Sequence, residues 1–396
     1  MLKSKKMSRI VSRRLAHSLA SGKQSVYGWG NVHALPLTTH TENEVFTKPV
    51  QLDNRPDYAL QGSVTHIAAG WGHSLLATEG KQVYGFGLNR CGQSGGGGLV
   101  FDCQKNTSSI QQLACGREHS HIITREEDGG QTTATTRLYS FGNNMYGQLG
   151  LGKSKDTHPG TFVMQTRPQL VETCMNITDI ACGLDHTVFV TEDKHLYAMG
   201  WGADGQLGLG KDWTGDKNIP TPLPSLGSTS CIKKIAGSTD FTLALTEEGG
   251  LWTWGNSEYG QGMTGAKIDR ILQPILLEHR GIIDIAAGGP FSVILCEDGS
   301  VHTCGYGALG LGKETIETLQ LQRIRNLPPI KKVFAATDYA AAIAVSGELF
   351  MWGLNGSSGR LGLGHQEHAF EPQQVDIDKE VHDLTLGTNH VLVLCQ

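Results

Sequence analysis

Ile180-Ala-Cys-Gly-Leu-Asp-His186-Thr-Val-Phe-Val-Thr191 passes through a short polar turn into Leu196-Tyr-Ala-Met-Gly200 and then into Asp204-Gly-Gln-Leu-Gly-Leu-Gly210. An apolar run, a tight polar turn and a second apolar run read as a β-hairpin. Elsewhere the turn is Glu79-Gly80 or Glu297-Asp-Gly299. The strand ending in glycine recurs seven times, closing at Gly30, Gly87, Gly142, Gly200, Gly255, Gly305 and Gly353. The stretch before each hairpin also recurs seven times. A ring-bearing residue holds one slot in it: His73, His119, His186, Phe241, Phe291, Tyr339 and His390. The Gly-Gln-Leu-Gly element returns after Tyr146 and, in part, after Tyr259 and before Gly364. Its glycines supply the positive φ that crossing loops need. Unit six carries a shortened form, and unit one replaces it with residues 31–47, read as an irregular loop.

Self-similarity near 50 residues, made of short strands, means a propeller or a solenoid. The 3.6-residue apolar period that helical repeats require is absent. The chain opens with one half of a unit, at residues 27–30, and ends with the other half, at residues 387–394. Joined, they complete a seventh unit and remove the exposed edges of an open sheet. The expected fold is therefore all-β, a seven-bladed β-propeller over residues 25–396 closed by its N- and C-terminal strands.

Composition agrees. Glycine is 52 of 396 residues, charged residues are 18%, and the formal net charge is −5. A disordered chain needs higher net charge and fewer apolar residues. No apolar stretch approaches the ~18 residues that span a bilayer, so no transmembrane segment is expected. The nine cysteines are odd in number and form no Cys-x-x-Cys pair, which argues against a disulfide scaffold or zinc knuckle and for a reducing compartment.

Residues 1–24 hold Lys3, Lys5, Lys6, Arg9, Arg13, Arg14 and Lys23, and the first acidic residue is Glu42. Met7, Val11, Leu15 and Leu19 share one helical face. A basic, acid-free, serine-bearing amphipathic head is the pattern of a mitochondrial presequence. A basic tail or a nuclear signal is the alternative. Without the head, 26 basic residues face 38 acidic ones. A body near −12 suits a basic protein surface better than a phosphate backbone.

Several motifs are refused. Gly147-Gln-Leu-Gly-Leu-Gly152-Lys153-Ser154 spells a P-loop, but its glycines belong to the repeat and no helix is expected after it. Gly200-Trp-Gly-Ala-Asp-Gly205 fails as a dinucleotide fingerprint for the same reason. His119-Ser-His121 has metal-pair spacing without a third ligand of suggestive spacing. No catalytic constellation stands out, so neither an enzyme nor a cofactor is expected.

The units resemble the regulator of chromosome condensation repeat family over about residues 25–396. Gly200-Trp-Gly-Ala-Asp-Gly-Gln, Trp254-Gly-Asn-Ser-Glu-Tyr259 and Gly305-Tyr-Gly-Ala-Leu-Gly310 resemble its mitochondrial, Williams–Beuren-region branch. The nuclear chromatin-bound branch and the ultraviolet-photoreceptor branch are less similar; only Gly70-Trp-Gly-His73-Ser approaches the latter's Gly-Trp-Arg-His-Thr repeat. The resemblance implies guanine nucleotide exchange on a mitochondrial dynamin-like fusion GTPase, with no covalent chemistry. It also implies association with a mitochondrial large-subunit rRNA maturation module containing rRNA-modifying proteins, so the alternative role is a ribosome-assembly scaffold. Location in the matrix or peripherally on the inner membrane follows from the same resemblance.

Equivalent positions in seven blades form a ring on one face. The residue before the slot is Gly72, Glu118, Asp185, Asp240, Pro290, Asp338 or Asn389. These positions are expected to line one mouth of the central channel, where an acidic rim would compete for a GTPase's basic phosphate-binding loop and its Mg²⁺. The resemblance places Asp185, Asp240, Asp338, His73, His119, His186 and His390 in that rim. The other reading is structural: these side chains cap turns and lock neighbouring blades. The rings Phe241, Phe291 and Tyr339 in the same slot favour packing. The insertion from Arg125 to Arg137, with Glu126, Glu127 and Asp128, is a candidate binding loop.

Overall fold

The computed structural model describes residues 24–41, 43–103, 108–126, 135–173, 175–224, 226, 231–307 and 309–396. They form seven four-stranded antiparallel sheets, the blades of the expected propeller. In chain order, blades I to VI span residues 64–102, 108–170, 177–222, 232–277, 282–323 and 330–374. Blade VII combines residues 381–395 with 25–51. The presequence assignment falls almost wholly on residues 1–23, outside the described residues, as do Glu127 and Asp128.

In blade III the inner strand is Ile177–Cys182, the second His186–Thr191, the third Leu196–Gly200 and the outer Lys217–Pro222. The second strand is buried along its whole length there and in blades I, IV, VI and VII. A strand covered on both faces needs an apolar run rather than alternation, which is why Thr187-Val-Phe-Val-Thr191 reads as it does. Outer strands such as Lys217–Pro222 face solvent on one side and carry polar residues.

The glycine that ends each third strand is imposed by geometry. Gly200 has φ +105°, and a Cβ there would lie 2.3 Å from the Asp185 carbonyl oxygen. That carbonyl accepts the N–H of Trp201 at 2.8 Å. The same corner recurs as Asn143 N–H on Glu118 O, Asn256 N–H on Asp240 O and Leu354 N–H on Asp338 O. Blade VII is closed as expected: Ser25 through Gly30 pair with Cys395 through His390, and Asn31 N–H donates to Asn389 O at 2.7 Å.

The slot residues join consecutive blades. His73 Nε2 meets Ser120 Oγ at 2.8 Å, His119 Nε2 meets Thr187 Oγ1 at 3.2 Å, His186 Nε2 meets Thr242 Oγ1 at 3.2 Å, and His390 Nε2 meets Ser74 Oγ at 2.7 Å. Each hydroxyl belongs to the next blade, one residue after that blade's slot. Ser120, Thr187 and Thr242 in turn donate to the carbonyls of Gln93, Gln148 and Gln206, so the imidazoles are the donors. All four histidines are 0% exposed. This corrects the expectation that they belong to a partner-binding rim: they are interior clasps that no partner reaches. Where the slot is Phe291 or Tyr339, the following blade offers Ala340 or Val391 instead of a hydroxyl. Tyr339 compensates by donating its own hydroxyl to Gly387 O at 2.6 Å. Tyr339→Phe is expected to cost about 1–2 kcal/mol, read as a lower denaturation midpoint, because it leaves a buried carbonyl without this donor.

The Gly-Gln-Leu-Gly loops fasten the next blade a second time. Trp254 Nε1–H donates to Gln206 O at 2.9 Å and Trp29 Nε1–H to Arg360 O at 2.8 Å. A Cβ at Gly208 or Gly362 would reach 2.9 or 2.8 Å from those indole rings. In unit one, residues 31–47 are more ordered than expected. A short 3₁₀ turn, Val32–Ala34, and the buried Val32, Leu35 and Leu37 fill the gap between blades VII and I. The P-loop-like stretch leads into turns; the helical segments among the described residues are that turn and Lys211–Trp213.

Candidate functional site

The turns between inner and second strands converge on one face around a central cavity of about 160 Å³. Its lining includes Trp71, Arg117, Leu184, Thr239, Thr337 and Thr388. These residues stand one position before the predicted acidic ring. Adjacent turns are stitched by Arg117 N–H to Leu184 O at 3.2 Å and Leu184 N–H to Thr239 O at 3.1 Å. The expectation that the acidic positions line the mouth is therefore corrected. Their carbonyls are held by the third strand of the same blade, which places them outside the mouth on the same face.

Their side chains do not form one equivalent ring. Asp338 is tied to the buried guanidinium of Arg360 at 3.4 Å, which also donates to Leu354 O and Thr388 O. Asn389 is exposed in blade VII. Glu126 is paired with Arg137 at 2.6 Å, and their strands run on past the neighbouring lengths. That pair makes Glu126 part of a lengthened hairpin rather than a free loop charge.

Glu118, Asp185 and Asp240 do come together, across blades II, III and IV. Asp185 forms an ion pair with Arg117, whose guanidinium also lies 5.7 Å from the centre of the Trp71 ring. Glu118 accepts from Asn143 Nδ2 at 3.1 Å. Burial pushes the Asp185 carboxyl up, against the pull of Arg117. Burial, reinforced by the charges of Asp204 and Asp185, pushes Asp240 up to about 6. Among the described residues no hydrogen-bond donor meets the Asp240 carboxylate.

Two members of this cluster, Asp204 and Asp216, are not marked by the repeat reading. Asp204 accepts from Trp201 Nε1 at 3.0 Å. Asp216 pairs with Lys155 at 2.8 Å. Lys155 also sits 4.1 Å from the Tyr146 ring centre and 4.9 Å from that of Trp201. A signal did exist for Asp204, since it holds the place that Tyr146 and Tyr259 hold before Gly-Gln in other units. Of these five carboxylates Asp185 is paired with Arg117 and Asp216 with Lys155, beside a ledge of Trp71, Tyr146 and Trp201. Such a surface attracts a cationic partner and offers it aromatic faces.

Residues 3–281 match the model of the RCC1-like domain, and residues 346–394 match the regulator of chromosome condensation (RCC1) repeat. The chain belongs to the RCC1-like family. It is 29% identical over 377 residues to the mouse RCC1-like G exchanging factor-like protein, covering 85% of this chain and 77% of that one. It is 30% identical over 372 residues to the ultraviolet-B receptor UVR8 of Arabidopsis thaliana, covering 90% and 78%. The crystal structure of human WBSCR16 superposes with a TM-score of 0.79 at 27% identity, over 94% of this RCC1-like chain and 99% of that one. Together these matches give a WBSCR16-like member of the family. Prp20p of Saccharomyces cerevisiae, at 22% identity and a TM-score of 0.78, shares the fold.

Proposed function

We propose that this RCC1-like protein is a guanine nucleotide exchange factor for a mitochondrial dynamin-like fusion GTPase, acting through the acidic face of blades II to IV. The observation that carries this reading is Asp240, a half-buried carboxylate that meets no hydrogen-bond donor among the described residues, set among Asp185 and Asp204. Its likeness to the RCC1-like G exchanging factor-like protein supports the same reading. The mechanism is differential binding. A face that holds the nucleotide-free GTPase more tightly than the loaded one lowers nucleotide affinity by the same factor. The unpaired carboxylate draws a basic side chain of the partner away from the phosphates. No covalent step is needed.

Catalytic amounts of the protein are expected to accelerate GDP release from that GTPase. Asp240→Asn and Asp204→Asn, checked for folding, are expected to lose at least about tenfold of the acceleration. Because Asp240 titrates near 6, the accelerated rate should fall as pH drops from 7 through 6, while Asp240→Asn should show a flat profile over that range. Absence of acceleration at any stoichiometry would remove this reading.

A scaffold in mitochondrial large-subunit assembly, engaging rRNA-modifying proteins and the rRNA module, is the second reading. It draws on a groove of about 620 Å³ lined by Leu151, Met164 and Ile219, of which Met164 and Ile219 are exposed. Among the described residues no helix is long and apolar enough to cross a membrane, so any contact with the inner membrane in this reading is peripheral.

A further inference from the structure

His121 interrupts a rule of the fold. Two residues after the slot, the other six blades carry Leu, Val or Ala, whereas this blade buries an imidazole completely. Its neighbour His119 is equally buried, and Cys182 approaches from the inner strand of the next blade. The ligating atoms of the three all lie within 4.8 Å of one another. This is the third ligand that the spacing of His119 and His121 does not reveal.

The hydroxyl of Thr187 stands between the two rings. It has one proton and two lone pairs. Gln148 O at 3.0 Å takes the proton, and His119 Nε2 at 3.2 Å and His121 Nε2 at 3.0 Å fill the lone pairs, while Cys182 lies opposite Thr187 in the ladder. Ser140 Oγ meets His121 Nδ1 at 2.7 Å, the kind of contact that fixes the ring of a metal-bound histidine.

We propose that His119, His121 and Cys182 bind a soft monovalent metal ion, copper(I), between blades II and III, with the Thr187 hydroxyl beside it. Thiolate selects copper(I), and imidazole accepts it. Charge decides the oxidation state: one thiolate neutralises a monovalent ion, whereas a divalent ion would leave a net positive charge buried. On binding, the ion enters and the Cys182 thiol proton leaves to solvent. The imidazoles lend neutral lone pairs, His119 carrying its proton on Nδ1. No electron is transferred.

The test loads the purified full chain anaerobically with copper(I), and separately with zinc(II), removes loose ion with a chelating competitor, and measures bound metal by mass spectrometry. One copper per chain and little zinc are expected, with about one proton released per ion. His121→Leu, which installs a residue used by other blades, should stay folded and retain less than about a tenth of the copper. Cys182→Ser should do the same, while Cys231→Ser, in blade IV's approach, should bind as the parent does. If Cys182→Ser fails to fold, His121→Leu decides alone. Absence of stoichiometric copper in the parent, equal copper in His121→Leu, or preferential zinc would each overturn the proposal.

Discussion

Brought from pH 7 to pH 4.5, the protein is expected to lose at least about 5 kcal/mol of unfolding free energy, enough to unfold an ordinary domain. The cause is the clasp of blade to blade. Burial lowers His73 and His186 to about 3 and His390 to about 4, from 6.5, and lowers His119 and His121 in the same direction. Above pH 7 these imidazoles are neutral in both the folded and unfolded states, and pH is without effect through them. Below 6.5 the unfolded chain takes up protons that the folded chain refuses, so stability falls as pH falls and levels off only below the folded values. Each histidine contributes about 1.4 kcal/mol per pH unit. Asp240, raised to about 6, works in the opposite sense and offsets about one histidine between pH 6 and 4. Urea unfolding followed by tryptophan fluorescence across pH 7.5 to 4.5 measures the slope. The double variant His186→Phe with Thr242→Ala imitates the pairing of Phe291 with Ala340, and it should lower that slope by about 1.4 kcal/mol per unit. An unchanged slope would show that the clasps do not govern acid stability.

Gly200→Ala is expected to cost about 3–5 kcal/mol from a strained φ and an overpacked corner. The new Cβ would stand 2.3 Å from Asp185 O and 2.8 Å from His186 Cα. Both are backbone atoms that cannot swing away. The corner also sets the carbonyl under Asp185 and the start of the His186 clasp, so any residual folded protein should show weaker partner binding. Gly215→Ala, where an added Cβ meets nothing within 4 Å, is the matched control and should move the midpoint hardly at all. Comparable midpoints for the two variants would sink the explanation given for the seven corner glycines.

The architecture is legible in the chain because every blade spells the same local problem. A fully covered strand needs an unbroken apolar run, and the corner needs a glycine, so the signals repeat with the structure. Pairings between blades are harder to see. His73 and Ser120 are 47 positions apart and His119 and Thr187 are 68 apart, so no local window holds both. The rule becomes plain only when each slot is set beside the next unit's following residue. The acidic face was half legible. Glu118, Asp185 and Asp240 follow from equivalence, but Asp204 and Asp216 come from loops that differ between units. Equivalence also misleads: Asp338 shares the ring position yet is neutralised by Arg360, a residue of its own blade's loop.

The seventh blade has a consequence in time as well as in space. A ribosome delivers Ser25–Asn31 before blades I to VI and His390–Cys395 after them. Throughout elongation the first strand has no partner, and blades I to VI stand as an unclosed arc. His390–Cys395 therefore acts as a checkpoint on the ring. A product that stops before His390 keeps blades I to VI but lacks the second strand of blade VII, leaving Ser25–Asn31 and Val381–Leu386 as bare edges. Such a truncated product should be marked for aggregation or proteolysis out of proportion to the residues it lacks.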